Sequence, residues 1–160
     1  ESDLERHLII NARNEMIFEK YQQFCHGDKA IGFCVTIRHA EAMAKLHDKL
    51  KEIGYDGHNL ELYLVRLLFC LFADDTTIFN KNIFYDYIRT HSSEDGSNLA
   101  SVINEVFEIL NTPLEKRLKN ISEELNAFPY VNGKLFEERL PLASFDSKMR
   151  SILLNCSALD

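Results

Sequence analysis

The chain has 160 residues, 46% of them hydrophobic, enough for one packed domain. Its longest apolar run, Leu60–Ala73, is broken by Glu61 and Arg66, so no membrane span is expected, and no secretory signal opens the sequence. A net charge of -7 argues against a surface that grips nucleic acid all over, and only three prolines and six glycines argue against disorder and a turn-rich all-β fold.

In chain order, Leu4, Leu8, Ala12, Ile17, Tyr21 and Phe24 predict an amphipathic helix over 3–24, ended by His26-Gly27-Asp28. Ala30–Ile37 changes character. Ile31, Phe33, Val35 and Ile37 make it strand-like and apolar on both faces. A lone strand leaves its backbone groups unpaired. The segment is therefore either absorbed into a neighbouring helix or paired with its copy in a second molecule, and the second solution predicts a homodimer through residues 30–37.

Arg38–Ile53 reads as a helix with Ala40, Met43, Ala44, His47 and Leu50 on its inner stripe and Gly54 after its end. Asn59 is the expected N-cap of the next helix, about 59–74, which is apolar nearly all round. Such a helix belongs at the centre of a bundle. Arg66 in its middle needs a partner, and Asp74 and Asp75 are the nearest carboxylates in sequence. Asn82–Thr90 and Leu99–Leu110 read as two further helices around a polar loop centred on Asp95-Gly96. Thr112, Pro113 and Glu115 form a capping-box signature for a helix whose buried stripe is Leu114, Leu118, Ile121 and Leu125. Asn132-Gly133 signals a small hairpin near 130–136. A last helix spans about Asp146 to Cys156, with Met149, Ile152 and Leu153 inward. The expected fold is mainly α: a helical bundle around a central apolar helix, with one short strand-like segment and a small hairpin.

Catalytic, cofactor-binding and metal-binding residues are not expected in this chain. Cys25, Cys34, Cys70 and Cys156 lack paired spacing, which points to a reducing compartment and cytoplasmic localisation. A zinc site from Cys25, His26, Cys34 and His39 would lack the usual close cysteine pair. Asp74 and Asp75 are neighbours about 100° apart on a helix, so they read as partners for Arg66 and a cap for the next turn rather than as a catalytic pair. The six glycines are isolated and build no phosphate loop. Phe79, Phe84, Tyr85 and Tyr87 read as core at their helical spacing, not as base-stacking rings. Residues 61–110 hold three basic against eight acidic side chains, and residues 111–160 hold seven of each. Candidate DNA contacts are therefore Lys116, Arg117, Lys119, Lys148 and Arg150, with a solvated mixed-charge face as the alternative.

Several motifs occur in a fixed order. They are His47-Asp48, Gly54-Tyr55-Asp56-Gly57-His58 and the run from Leu64-Val65-Arg66-Leu67-Leu68 to Ala73-Asp74-Asp75-Thr76. Leu110-Asn111-Thr112-Pro113, Phe128-Pro129-Tyr130-Val131-Asn132-Gly133-Lys134-Leu135-Phe136 and Phe145-Asp146-Ser147-Lys148-Met149-Arg150 follow. This order resembles the helical spacer of MmeI-type restriction–modification enzymes over about residues 42–160. The resemblance implies a bacterial phage-defence protein that joins a nuclease, a helical spacer and an adenine-N6 DNA methyltransferase. It places S-adenosylmethionine and magnesium in the other domains of the parent enzyme. It leaves this chain as a non-catalytic connector that positions those domains on DNA, with at most weak contact to the DNA backbone. Lys29–Glu41 resembles a strand and helix start from the second lobe of superfamily-2 helicases. Residues 1–41 then form a separate helix-plus-strand region, either a fusion or a chance likeness, ahead of a spacer domain at 42–160. The alternative function is an independent helical module that dimerises or binds a protein partner.

Overall fold

The structure, a computed structural model, describes residues 37–76, 78–131 and 133–157. The expected helix at 3–24, the strand-like residues 30–36, the helicase-like likeness and the dimer contact lie outside the described residues. Ile37, expected at the end of the strand, opens a helix instead.

The described residues form α1 (Ile37–Glu52), α2 (Gly57–Asp75), α3 (Ile83–His91), α4 (Leu99–Leu110), α5 (Glu123–Asn126) and α6 (Ser147–Ser157), with a 3-10 turn at Leu114–Lys116. No strand occurs among them, so the fold is mainly α. Helix α1 packs on α2 and α6, α2 on α3, and α3 on α4, α5 and α6.

The end of α1 follows from Gly54. Its φ of 87° lets the Gly54 amide donate to the Lys51 carbonyl (3.0 Å) and the Tyr55 amide to the Leu50 carbonyl (2.9 Å). This is a Schellman closure, and glycine enters the left-handed region without a side-chain penalty. The inner stripe of α1 differs from the sequence reading. His39, Ala42, Met43, Leu46 and Leu50 are buried, whereas Ala40 and Ala44 are exposed and His47 is half-buried. The register is set by α2 and α6, which flank α1 and select the face that carries Leu46.

Helix α2 begins before Asn59, with Asp56 at the N-cap position, so Asn59 lies within the first turn. Leu60, Tyr63, Leu67, Cys70, Leu71 and Asp74 are among its buried residues, but Val65 is 42% exposed. The apolar composition covers a wider arc than the neighbouring helices bury.

Two expected elements are absent among the described residues. The capping-box helix from Thr112 to Leu125 is replaced by the 3-10 turn, a loop and the one-turn α5. The Thr112 hydroxyl donates back to the Glu108 carbonyl (2.6 Å), so it closes α4 instead of opening a new helix. Pro113 has a ψ of 145°, outside the helical region. Leu114 and Leu118 of the expected buried stripe are exposed, Leu118 to 72%. The hairpin is absent as well. The Val131 amide donates to the Leu110 carbonyl at the end of α4 (2.8 Å), and Leu135–Glu137 is a turn drawn onto α2.

A continuous series of ring contacts runs through the core, from Tyr55 through Tyr63, Phe107, Phe136, Phe69, Phe79 and Phe128 to Tyr87 and His91. Most of its steps are edge-to-face or tilted, the arrangement the ring quadrupole favours. Phe79, Phe84 and Tyr87 are buried, as their spacing predicts, and Tyr85 is half-buried beneath Arg89.

Candidate functional site

Arg66 is the charged residue at the centre of the best-defined polar arrangement. It is only 3% exposed. Its partners are not Asp74 and Asp75. Nε donates to the Leu135 carbonyl and Nη2 to the Glu138 carbonyl, each at 2.7 Å. The guanidinium also lies over the Phe107 and Phe136 rings, 5.6 and 5.5 Å from their centroids. Burial pulls its pKa below the ordinary arginine value, and Glu138 is foremost among the charges that oppose the shift.

Around Arg66 the segment 135–141 lies strapped along α2. His58 pairs with Glu138 at 3.0 Å, and the Tyr55 hydroxyl donates to the Pro141 carbonyl at 2.9 Å. The fork of arginine suits this task because one planar group serves two carbonyls at once.

Asp74 serves the next helix. Its two oxygens accept from the amides of Phe84 (3.0 Å) and Tyr85 (3.1 Å), which are orphan donors at the start of α3. Burial raises the Asp74 pKa, and these two hydrogen bonds only partly offset it. Asp75 turns the other way and lies 3.4 Å from Nε2 of the buried His39. The two carboxylates thus serve different elements. Asn132 lies outside the described residues. Gly133 is exposed with a φ of 151°, and a side chain there would meet nothing within 4 Å.

The five candidate DNA contacts separate into two kinds. Lys116, Lys119 and Lys148 are exposed. Arg117 instead donates to the carbonyls of Thr112, Asn126 and Ile109 and to the Asn126 side chain, which ties α4 to α5. Arg150 donates to the Ser92 hydroxyl (2.7 Å) and to the carbonyls of Arg89 and Ser92, which closes the end of α3. Both arginines bind carbonyls in the last turns of helices or just after them, where cations are favoured. Sequence reading missed these roles because a carbonyl acceptor has no side-chain signature. Ser92, a small polar residue directly after α3, was the one available signal.

Among the described residues no group of three or more His, Cys, Asp or Glu side chains is placed to hold a metal ion. No helix there is long and apolar enough to cross a membrane.

Comparison with known proteins agrees on one family. Residues 58–136 match the model of the MmeI helicase spacer domain. The chain is 38% identical over 126 residues to DNA methyltransferase A of Bacillus subtilis (strain 168), covering 77% of this chain and 14% of that protein. It is also similar to the solved type IIL restriction–modification enzyme MmeI in complex with DNA. That match has a TM-score of 0.75 and 63% identity, and covers 79% of this chain and 17% of the enzyme. The chain thus spans less than a fifth of each of these two relatives. Over residues 58–136 it belongs to the MmeI helicase spacer family.

Proposed function

We propose that this domain is the stiff, non-catalytic spacer of a restriction–modification adenine methyltransferase and holds the catalytic parts at a set separation on DNA. The observation that carries this reading is the 63% identity, at a TM-score of 0.75, to one part of an enzyme solved on DNA. The internal ties favour stiffness. Arg66, Arg117 and Arg150 each join a loop to a helix through backbone carbonyls, which do not change with protonation. Nuclease and methyltransferase domains of the parent are the partners in this reading, and S-adenosylmethionine and magnesium belong to those domains. Lys116, Lys119 and Lys148 are the side chains free to approach phosphates. Arg117 and Arg150 support them by fixing the segments that carry them.

The test is to insert a flexible glycine–serine stretch at Lys119-Asn120 in a parent enzyme that carries this domain. The expected result is a scattered distance between recognition site and cut site. A distance that stays single-valued overturns the spacer reading. Replacing the three lysines by glutamine tests the DNA contact by itself. The slope of log affinity against log salt is expected to fall by about 0.9 for each lysine that meets a phosphate. An unchanged slope removes the contact.

A further inference from the structure

We propose that the outer face of α4 is a docking groove for a protein segment that carries a branched apolar side chain between lysines or arginines. Glu108 stands four residues after Asn104 and three after Glu105, so it neighbours both on the outward side of the helix. On one side this row borders an open hollow of about 560 Å³, floored by Ile109, Leu125 and Leu142. Leu142 is 64% exposed. On the other side, Asn104 and Glu108 also line a second hollow of about 260 Å³, shared with Arg66, Glu138 and Arg139. The shared residues Asn104 and Glu108 make the two hollows neighbours on either side of one row.

Three features choose the occupant. The smaller hollow balances Glu108 and Glu138 against Arg66 and Arg139, whereas the larger one carries Glu105 and Glu108 with no cation in its lining, so cationic side chains fit the rim of the larger hollow and a phosphate backbone does not. The floor of the larger hollow is branched and apolar, which fits a leucine-like side chain. Arg66 then supplies a donor for the main chain. Its Nε and Nη2 are committed to carbonyls, whereas Nη1 makes no hydrogen bond among the described residues. The side chain is otherwise buried and lines the smaller hollow. A buried guanidinium is best served when its remaining donors meet acceptors, and a third backbone carbonyl is the group it already binds twice. A segment laid along α4 gives its carbonyl to Arg66, its apolar side chain to the Leu142 hollow and its cations to Glu105 and Glu108. This goes beyond the spacer reading and does not depend on it.

The test is an amide-shift titration of the 15N-labelled full chain with the synthetic peptide acetyl-Lys-Leu-Leu-Arg-amide. The expected result is movement of the Asn104, Glu108, Leu125 and Leu142 amides. Binding should weaken at least tenfold in Glu108→Lys and in Leu142→Ser, both exposed positions whose variants are checked for native circular dichroism. The acidic peptide acetyl-Glu-Leu-Leu-Glu-amide should bind at least tenfold more weakly. Amides that stay still at millimolar basic peptide overturn the proposal. So does an equal response to the acidic peptide, or a DNA duplex that moves the same amides.

Discussion

Gly96 and Asp146 meet backbone to backbone. A Cβ built on Gly96 would stand 2.5 Å from the Asp146 carbonyl oxygen and 2.7 Å from its carbonyl carbon. That carbonyl accepts from the Arg150 amide at 3.0 Å, and the Asp146 carboxylate accepts from the Met149 amide at 2.7 Å. The residue that starts α6 is therefore seated against the loop between α3 and α4, and Arg150 fastens the same junction to Ser92.

Gly96→Ala should accordingly cost about 3 kcal/mol, from overpacking against rigid backbone together with a φ of 78°. Gly57→Ala provides the contrast. Its φ of 61° is unfavourable too, but nothing lies within 4 Å of the added methyl, so about 1 kcal/mol is expected. Urea denaturation of the two variants checks this, and equal losses would contradict the close approach at Gly96.

Arg66→Ala should destabilise the domain by about 2–4 kcal/mol, because two part-buried hydrogen bonds to carbonyls are lost and two rings lose their cation. Arg66→Lys should recover less than half of this, since an ammonium on a flexible stem does not reproduce the fork. Midpoints in urea are the readout. A loss below about 0.5 kcal/mol for Arg66→Ala would show that the strap at 135–138 holds without it.

Tyr63→Phe should leave the fold intact and raise stability by about 1 kcal/mol. The Tyr63 hydroxyl is fully buried without a hydrogen-bond partner, and an unsatisfied buried polar group costs on that order. The ring contacts to Tyr55 and Phe107 are retained by phenylalanine. A melting temperature below that of the wild type would reveal a partner for this hydroxyl.

Asp74 gives stability a specific pH dependence. Its folded-state pKa is raised, with burial as the main cause. A raised pKa means that the folded state holds the proton more tightly than the unfolded chain does. The resulting contribution is complete below the unfolded aspartate pKa and is lost as pH rises through the folded value. The stability of the wild type relative to Asp74→Asn should therefore fall as pH climbs from the acid side through that window. A difference that is flat with pH, or that grows, would contradict the raised pKa.

Much of the architecture is legible in the sequence because it rests on local rules. Leu99–Leu110 is helical at its expected limits, since Leu99, Val102, Ile103, Val106 and Phe107 mark one face and Asn111-Thr112-Pro113 interrupts it. Gly54 ends α1 through its left-handed φ, Asp146 starts α6, and the chain shows the spacer family through the order of its motifs. What the sequence could not decide was the partner of each polar group. Arg66 has carboxylates nearby in sequence but binds carbonyls 69 and 72 residues away, because packing brings the 135–138 strap over α2. Thr112 carries a capping signature but closes the preceding helix, and Arg117 holds the following chain in a loop. Leu114 and Leu118 repeat at helical spacing but meet no buried surface. Periodicity follows from side chains one turn apart and is written in the sequence itself. Hydrogen bonds to distant carbonyls depend on which segments meet, and only the tertiary structure settles that.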